Sequence, residues 1–249
     1  MITSLNINQN LNQVAIDYIE KHLKYNNDLV ILHEVLPKDI VVLENRFKCY
    51  KPYYPNTANF YTIALTMLDS NNFDNIELQP FIKSQKNRTI FLLKEEDSSS
   101  QVDLVVGLHA PSHNYEKSDF ASIEPFWSSL IDLLKNVNTY KCLHNYGIPK
   151  KIGSIIITGD LNAYKPSTER KRYFHKLLSV GFVDLWIQYN NANNKETYRT
   201  SEKDTGTRID YSLISDESWE KYYVEIDDTT RDDKNGFTDH SAIITKVKK

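Results

Sequence analysis

Apolar residues in this chain come in short runs that end on polar side chains. Ile2 to Asn8, Leu29 to Glu34, Val102 to His109, Ile155 to Asn162 and Thr207 to Ser212 all follow this pattern. Runs of this length predict strands buried on both faces. Strand interiors are packed while their carboxyl ends open to solvent, so the terminal polar groups are expected to converge on one rim.

Other segments carry the helical period. Asn12 to Lys24 spaces Val14, Ile16, Tyr18, Ile19 and Leu23 among polar residues, and Ser122 to Asn136 does the same with Ile123, Phe126, Trp127, Leu130 and Leu134. Glu169 to Val180 predicts a further helix, stopped by Gly181. The opening strand, helix and strand suggest a covered sheet edge. Tyr61 to Leu68, Thr89 to Leu93 and Val102 to Leu108 predict strands separated by the polar stretches Asp69 to Asn75 and Glu95 to Gln101. The first two are expected to be antiparallel neighbours, because no long helix joins them. Phe182 to Trp186 reads as a packed segment, the polar run from Asn190 to Gly206 as an exposed loop, and Arg208 to Ile214 and Ala242 to Val247 as the last strands. With no repeat or linker in view, one domain spanning 1–249 is expected, built as two sheets with flanking helices.

Composition narrows the class. With 40% hydrophobic residues in 249, the chain can bury a substantial core. A net charge of -3 does not advertise a nucleic-acid binder, although a local groove can still be positive. The opening Met-Ile-Thr-Ser has no signal-peptide pattern and no apolar run approaches spanning length, so stable membrane insertion is not expected and the cytoplasm is the default location. Cys49 and Cys142 are read as free structural thiols.

The run ends carry candidate chemistry. Asp239 and His240, just before Ala242 to Thr245, pair a carboxylate that can hold a cation with an imidazole that can handle a proton or a phosphoryl oxygen. Glu34 ends a rigid apolar run and suits magnesium, which prefers hard oxygen ligands. Asn6 and Asn8 share a face if the strand continues through them, and each can orient substrate, coordinate a cation or close a turn. In Thr158-Gly159-Asp160-Leu161-Asn162, the glycine permits a close turn while Asp160 and Asn162 address one volume; an Asx turn is the structural alternative. Asp210 in Arg208-Ile209-Asp210-Tyr211 implies a cation or hydrogen-bond partners if buried, and Arg208 can contact phosphate or pair with an acidic neighbour, a surface Arg–Asp pair being the structural alternative. His109, fixed by the nearby Pro111, is a candidate for phosphate binding or proton transfer.

Taken in order, these segments resemble the endonuclease/exonuclease/phosphatase superfamily. The resemblance runs from Asn6 to His240 and rests most on Gly159-Asp160-Leu161-Asn162 and Asp239-His240, then on Arg208-Ile209-Asp210-Tyr211. It implies a deoxyribonuclease I-like α/β four-layer sandwich of two mixed sheets between helices, hydrolysing phosphodiesters with magnesium, or manganese as a substitute. It further implies metal ligation by Glu34 and Asp239, aided by Asn6, and catalytic roles for His109, Asp160, Asn162, Asp210 and His240. His33 stands where the family has glutamine, Asn8 where abasic-site enzymes often have an acid, and Thr238 where serine is usual. These departures bear on the substrate and the number of metals.

DNA is the expected substrate, with RNA or a small phosphoester as alternatives. Lys165, Arg170, Lys171, Arg172 and Lys176 follow the Asp160–Asn162 loop and can contact a backbone, and Tyr164 and Tyr173 can stack if exposed. The opposing reading is a solvated helix with Tyr173 and Phe174 packed inward. Lys83, Lys86, Arg88, Lys150 and Lys151 add positive segments, whereas Asp227, Asp228, Asp232 and Asp233 speak against a uniformly basic face. A metal-dependent phosphatase or lipid phosphodiesterase is the runner-up, and a catalytically silent interaction module the alternative of another class.

Overall fold

Along residues 29 to 33 the side chains alternate between two cores. Leu29 and Ile31 lie between two sheets, whereas Val30 and Leu32 lie on the opposite face of their own sheet. A strand buried on both faces has no polar position to spare, which is why these runs read as continuously apolar. Each fully buried aliphatic side chain contributes roughly 1.5–3 kcal/mol.

The structure is a computed structural model that describes residues 1–52, 58–78, 81–83, 85–95, 101–112, 117–137, 151–163, 169–190, 195–199, 206–231 and 235–248. The elements run β1 (Ile2–Asn6), α1 (Gln13–His22), β2 (Leu29–Val35), α2 (Pro37–Glu44), β3 (Lys48–Tyr50), β4 (Tyr61–Thr66), β5 (Phe73–Asn75), β6 (Thr89–Glu95), β7 (Gln101–His109) and α3 (Lys117–Val137). They continue with β8 (Lys151–Asp160), α4 (Glu169–Leu178), β9 (Phe182–Asp184), α5 (Leu185–Asn190), β10 (Asp210–Ser215), β11 (Tyr222–Asp227) and β12 (Ala242–Val247). One sheet has the order β11-β12-β1-β2-β4-β3 and the other β5-β6-β7-β8-β10-β9. The pairs β1/β2 and β7/β8 are parallel and the other pairs antiparallel, so both sheets are mixed.

The sheets pack face to face through Ile31, Ile90, Val105, Ile156, Ile214 and Ile243. Helix α1 presents Ala15, Tyr18 and Ile19 to the outer face of the first sheet. Helices α3 and α4 cover the second with Phe126, Trp127, Leu130, Phe174 and Leu177. The result is the expected helix, sheet, sheet, helix layering. Asn12 caps α1 by accepting the Ala15 N–H at 3.0 Å, and Pro37 starts α2, where its missing N–H costs nothing.

Two expectations are corrected. The β1/β2 pair lies in the middle of its sheet, because β12 and β4 take the flanking positions. The runs at Tyr61 and Thr89 are not neighbours: β4 pairs with β2 and β3, and β6 with β5 and β7. The connection between them crosses from one sheet to the other, so the lack of a long helix signals a change of layer. Cys49 is free and half-buried, and burial pushes its thiol up to about 12, which keeps it unreactive. Cys142, Tyr164, Lys165, Lys150, Asp232 and Asp233 lie outside the described residues.

Candidate active site at the common rim of the sheets

Two parallel pairs, one in each sheet, aim their carboxyl ends the same way. Asn6 and Glu34 sit at the ends of β1 and β2, His109 and Asp160 at the ends of β7 and β8. Asp210 opens β10 directly opposite Asp160, and Asp239 with His240 leads into β12. Residues far apart in the chain thus meet at one rim, as strand polarity requires.

Glu34 adopts φ 58°, and the β2/β4 register shifts between Leu32 and Val35. A left-handed conformation at a β-bulge costs a non-glycine residue about 1–2 kcal/mol, and here it turns the carboxylate toward the rim. The Asn6 amide nitrogen donates to Glu34 Oε1 and to Asp160 Oδ2, each at 3.1 Å, tying the two sheets together. Its carbonyl oxygen accepts the Asn8 N–H at 2.9 Å. Asn6 therefore turns its amide hydrogens toward Glu34 and Asp160 and its side-chain oxygen toward the Asn8 N–H. Asn8 does not share its face: the strand stops at Asn6, and Asn8 is exposed in a turn with φ 47°. Gln9, unnoticed in the sequence, donates to Glu34 Oε2 at 3.2 Å.

Asp160 is buried, accepts the Asn162 N–H on Oδ1 at 2.9 Å and lies 3.7 Å from His109 Nε2 through Oδ2. The Asx-turn reading and the site reading hold together. Gly159 before it has φ 144°, and a Cβ there would stand 2.0 Å from the Leu108 carbonyl, so no other residue fits. Asn162 donates its amide N–H to the Ala110 carbonyl at 2.9 Å, fastening the β8 exit to the segment after His109.

The two histidines are pushed apart electrostatically. Burial lowers His109 well below the ordinary imidazole range, and the positive Arg88, with His33 and His240, adds to the effect. His109 is neutral. Burial also disfavours the charged form of His240, but Asp210, whose two oxygens lie 3.1 and 3.0 Å from Nδ1, outweighs it together with Asp160 and Asp239 and raises the group to about 9. His240 is an imidazolium at neutral pH. Asp160 is raised to about 7 by burial and by the facing Asp210, against the pull of His240, Asn162 and Asn6.

Ligand atoms of Asp160, Asp210 and His240 lie within 4.8 Å of one another. Asp239 Oδ1 is 3.8 Å from His240 Nε2, and Glu34 Oε1 is 3.5 Å from His109 Nε2. Four carboxylates, Glu34, Asp160, Asp210 and Asp239, thus lie around the two histidines, with His240 and Arg88 as the positive charges beside them. Hard oxygen donors fit a divalent cation, and the raised Asp160 is the group that such an ion would deprotonate.

Several expected phosphate contacts are not available. Arg170 is 1% exposed and sits in the interior. Arg208 is buried in a two-pronged pair with Asp184, at 2.8 and 2.6 Å, and stacks over Tyr211. Arg208 therefore pairs with an acidic group, Asp184, and does so in the interior, which corrects the phosphate contact and the surface ion pair. Tyr173 and Phe174 pack inward, as the opposing reading of that helix held. Arg172, Lys176 and Lys151 are exposed.

Arg88 is a site residue that sequence reasoning left on a generic positive segment. Its guanidinium lies 3.4 and 3.3 Å from the two ring nitrogens of His109 and 4.8 Å from the Phe60 centroid. Tyr198 was missed too; its ring centroid is 4.8 Å from that of His240. The sequence places Arg88 directly before the Thr89 run, and only the β6/β7 pairing brings it to His109.

No family profile and no curated protein sequence matches the chain. Solved structures do. A 3′ phosphatase of Neisseria bound to product DNA hairpin is similar with a TM-score of 0.72 and 15% identity, covering 100% of this chain and 99% of its own. An AP endonuclease of Archaeoglobus fulgidus gives 0.68 and 13%, covering 100% and 99%, and one of Leishmania major 0.71 and 12%, covering 100% and 87%. The chain is thus an α/β sandwich with two sheets at its centre. More narrowly, its fold is deoxyribonuclease I-like.

Proposed function

We propose that the protein is a divalent-metal-dependent hydrolase of phosphodiester bonds, with DNA as its substrate. The observation that carries this reading is the meeting of Glu34, Asp160, Asp210 and Asp239 with one neutral and one cationic histidine at a single rim. Glu34 and Asp239, joined by Asp160, are the residues to hold the ion. A divalent ion held there, such as magnesium, would supply positive charge against the charge that develops on the phosphoryl oxygens.

The protein groups divide the remaining work. His109, uncharged and 3.7 Å from Asp160, can accept a hydrogen bond or a proton from the attacking water. His240 brings a positive N–H to a phosphoryl oxygen or to the leaving oxygen, and Asp210 holds its ring in place. Asn162 donates its remaining amide hydrogen to phosphate. Arg88, beside His109, extends the positive side of the site toward a neighbouring phosphate. The related Neisseria structure contains a product DNA hairpin, which supports nucleic acid as the substrate class. A small phosphoester is the second reading, favoured by the burial of Arg170 and Arg208, which removes two cations from the DNA-facing side.

Incubation with supercoiled DNA, linear duplex, single-stranded DNA, RNA, inositol phosphates and sphingomyelin tests both. The expected result is DNA cleavage abolished by EDTA and restored by magnesium or manganese. Metal-dependent turnover of the small phosphoesters alone would shift the reading to a phosphatase or lipid phosphodiesterase, and no metal-dependent hydrolysis of any of them would overturn it.

A further inference from the structure

His33 stands directly before Glu34 and is completely buried between the sheets. Its Nε2 lies 2.9 Å from Ser4 Oγ on β1, and its Nδ1 lies 3.2 Å from Thr62 Oγ1 on β4. Its third neighbour belongs to the other sheet. A Cβ on Gly159 would come within 2.8 Å of both Cε1 and Nε2 of His33, so β8 approaches the ring as closely as the absence of a side chain allows. His33 directly precedes Glu34, and two of its three contacts are equally near site residues: Ser4 lies two before Asn6 and Gly159 directly before Asp160.

We propose that His33 is a positioning residue that sets the distance between the Glu34 half of the site, carried by one sheet, and Asp160, carried by the other. The ring is a rigid spacer between the two sheets. Its two nitrogens fix its rotation through hydroxyls on the strands either side of β2. Without it, the Ser4 and Thr62 hydroxyls lose a buried partner, β8 can settle toward the first sheet, and the Asn6 amide no longer spans Glu34 and Asp160 at 3.1 Å on each side. A flexible planar group with a donor and an acceptor, such as a glutamine amide, can meet the same two hydroxyls. The inference rests on the hydrolytic reading above only for what the spacing serves.

The test measures Mn2+ binding by electron paramagnetic resonance without substrate, together with thermal unfolding and kcat and KM on DNA. The variants are His33→Leu, His33→Gln and the double variant Ser4→Ala/Thr62→Val. Removing a group that orients metal-binding residues costs roughly 10- to 100-fold in metal affinity. A loss of that size is expected for His33→Leu and the double variant, with kcat reduced, KM unchanged and most of the affinity retained in His33→Gln. A folded His33→Leu with wild-type Mn2+ affinity would overturn the proposal, and if that variant does not fold, the double variant decides on the same criterion. Wild-type protein that binds no Mn2+ would remove the hydrolytic reading and this inference together, whereas wild-type binding with unaffected variants removes the role of His33 alone.

Discussion

Asp160 and Asp210 stand directly opposite one another in the β8/β10 ladder, two buried carboxylates in adjacent strands. Like charges so placed repel, and His240 compensates one of them. In metal-free protein the second is relieved by a proton on Asp160.

That proton has a measurable consequence. The folded value of Asp160, about 7, lies above its ordinary 3.8, so its contribution to stability is complete below pH 3.8 and is lost as pH rises through 7. Thermal unfolding in EDTA is expected to show this fall in wild-type protein and a flatter profile in Asp160→Asn, with hydrolysis by that variant down about 10²- to 10⁴-fold. An unchanged pH profile would show that Asp160 is not the group holding the proton.

His240 behaves in the complementary way. Its folded value of about 9 exceeds the ordinary 6.5, so the stability from its pairing is complete below pH 6.5 and disappears as pH rises through 9. In metal-free protein the ring resonances are expected to titrate near 9 by NMR. With Asp210→Asn the opposing effect of burial prevails, and the titration moves down.

Arg208 and Arg172 should separate cleanly. Breaking the buried Arg208–Asp184 pair with Arg208→Ala is expected to cost about 3–5 kcal/mol of stability by denaturant unfolding. Arg172→Ala, on the exposed face of α4, should leave stability near wild type and lower the salt dependence of DNA binding by about one counterion. If Arg208→Ala instead leaves stability intact and weakens DNA binding, the buried pair is not its role.

Glu34 should show a trade between stability and activity. Its φ of 58° suits glycine, so Glu34→Gly is expected to be more stable than Glu34→Ala by about 1 kcal/mol while both lose metal-dependent activity. Equal stabilities would mean that the left-handed turn carries no strain.

The strands that hold the site were legible because each is buried on both faces. The runs at Ile2, Leu29, Val102 and Ile155 carry apolar groups and small hydroxyls until they reach the rim, apart from His33, held by Ser4 and Thr62, and Asp103, which accepts from Tyr222. Short elements were not: β3 and β5 have three residues each, too few for a period, and β11 mixes Tyr222 and Val224 with exposed Glu225. The convergence of Asp160, Asp210 and His240 followed from the motifs. What could not be read was direction in space. Arg170 and Arg208 look like any surface cations in the sequence, and only packing reveals that they face inward. Likewise Arg88 reaches His109 because β6 runs antiparallel to β7, a pairing across 21 residues that composition does not encode.

The Asn6 bridge between Glu34 and Asp160 makes the centre a property of the assembled sandwich. Either sheet alone keeps its ladders yet owns only part of the chemistry. During unfolding, loosening of the two layers would therefore silence the molecule before its backbone order melts, and a bound cation would act as the clasp that delays that separation.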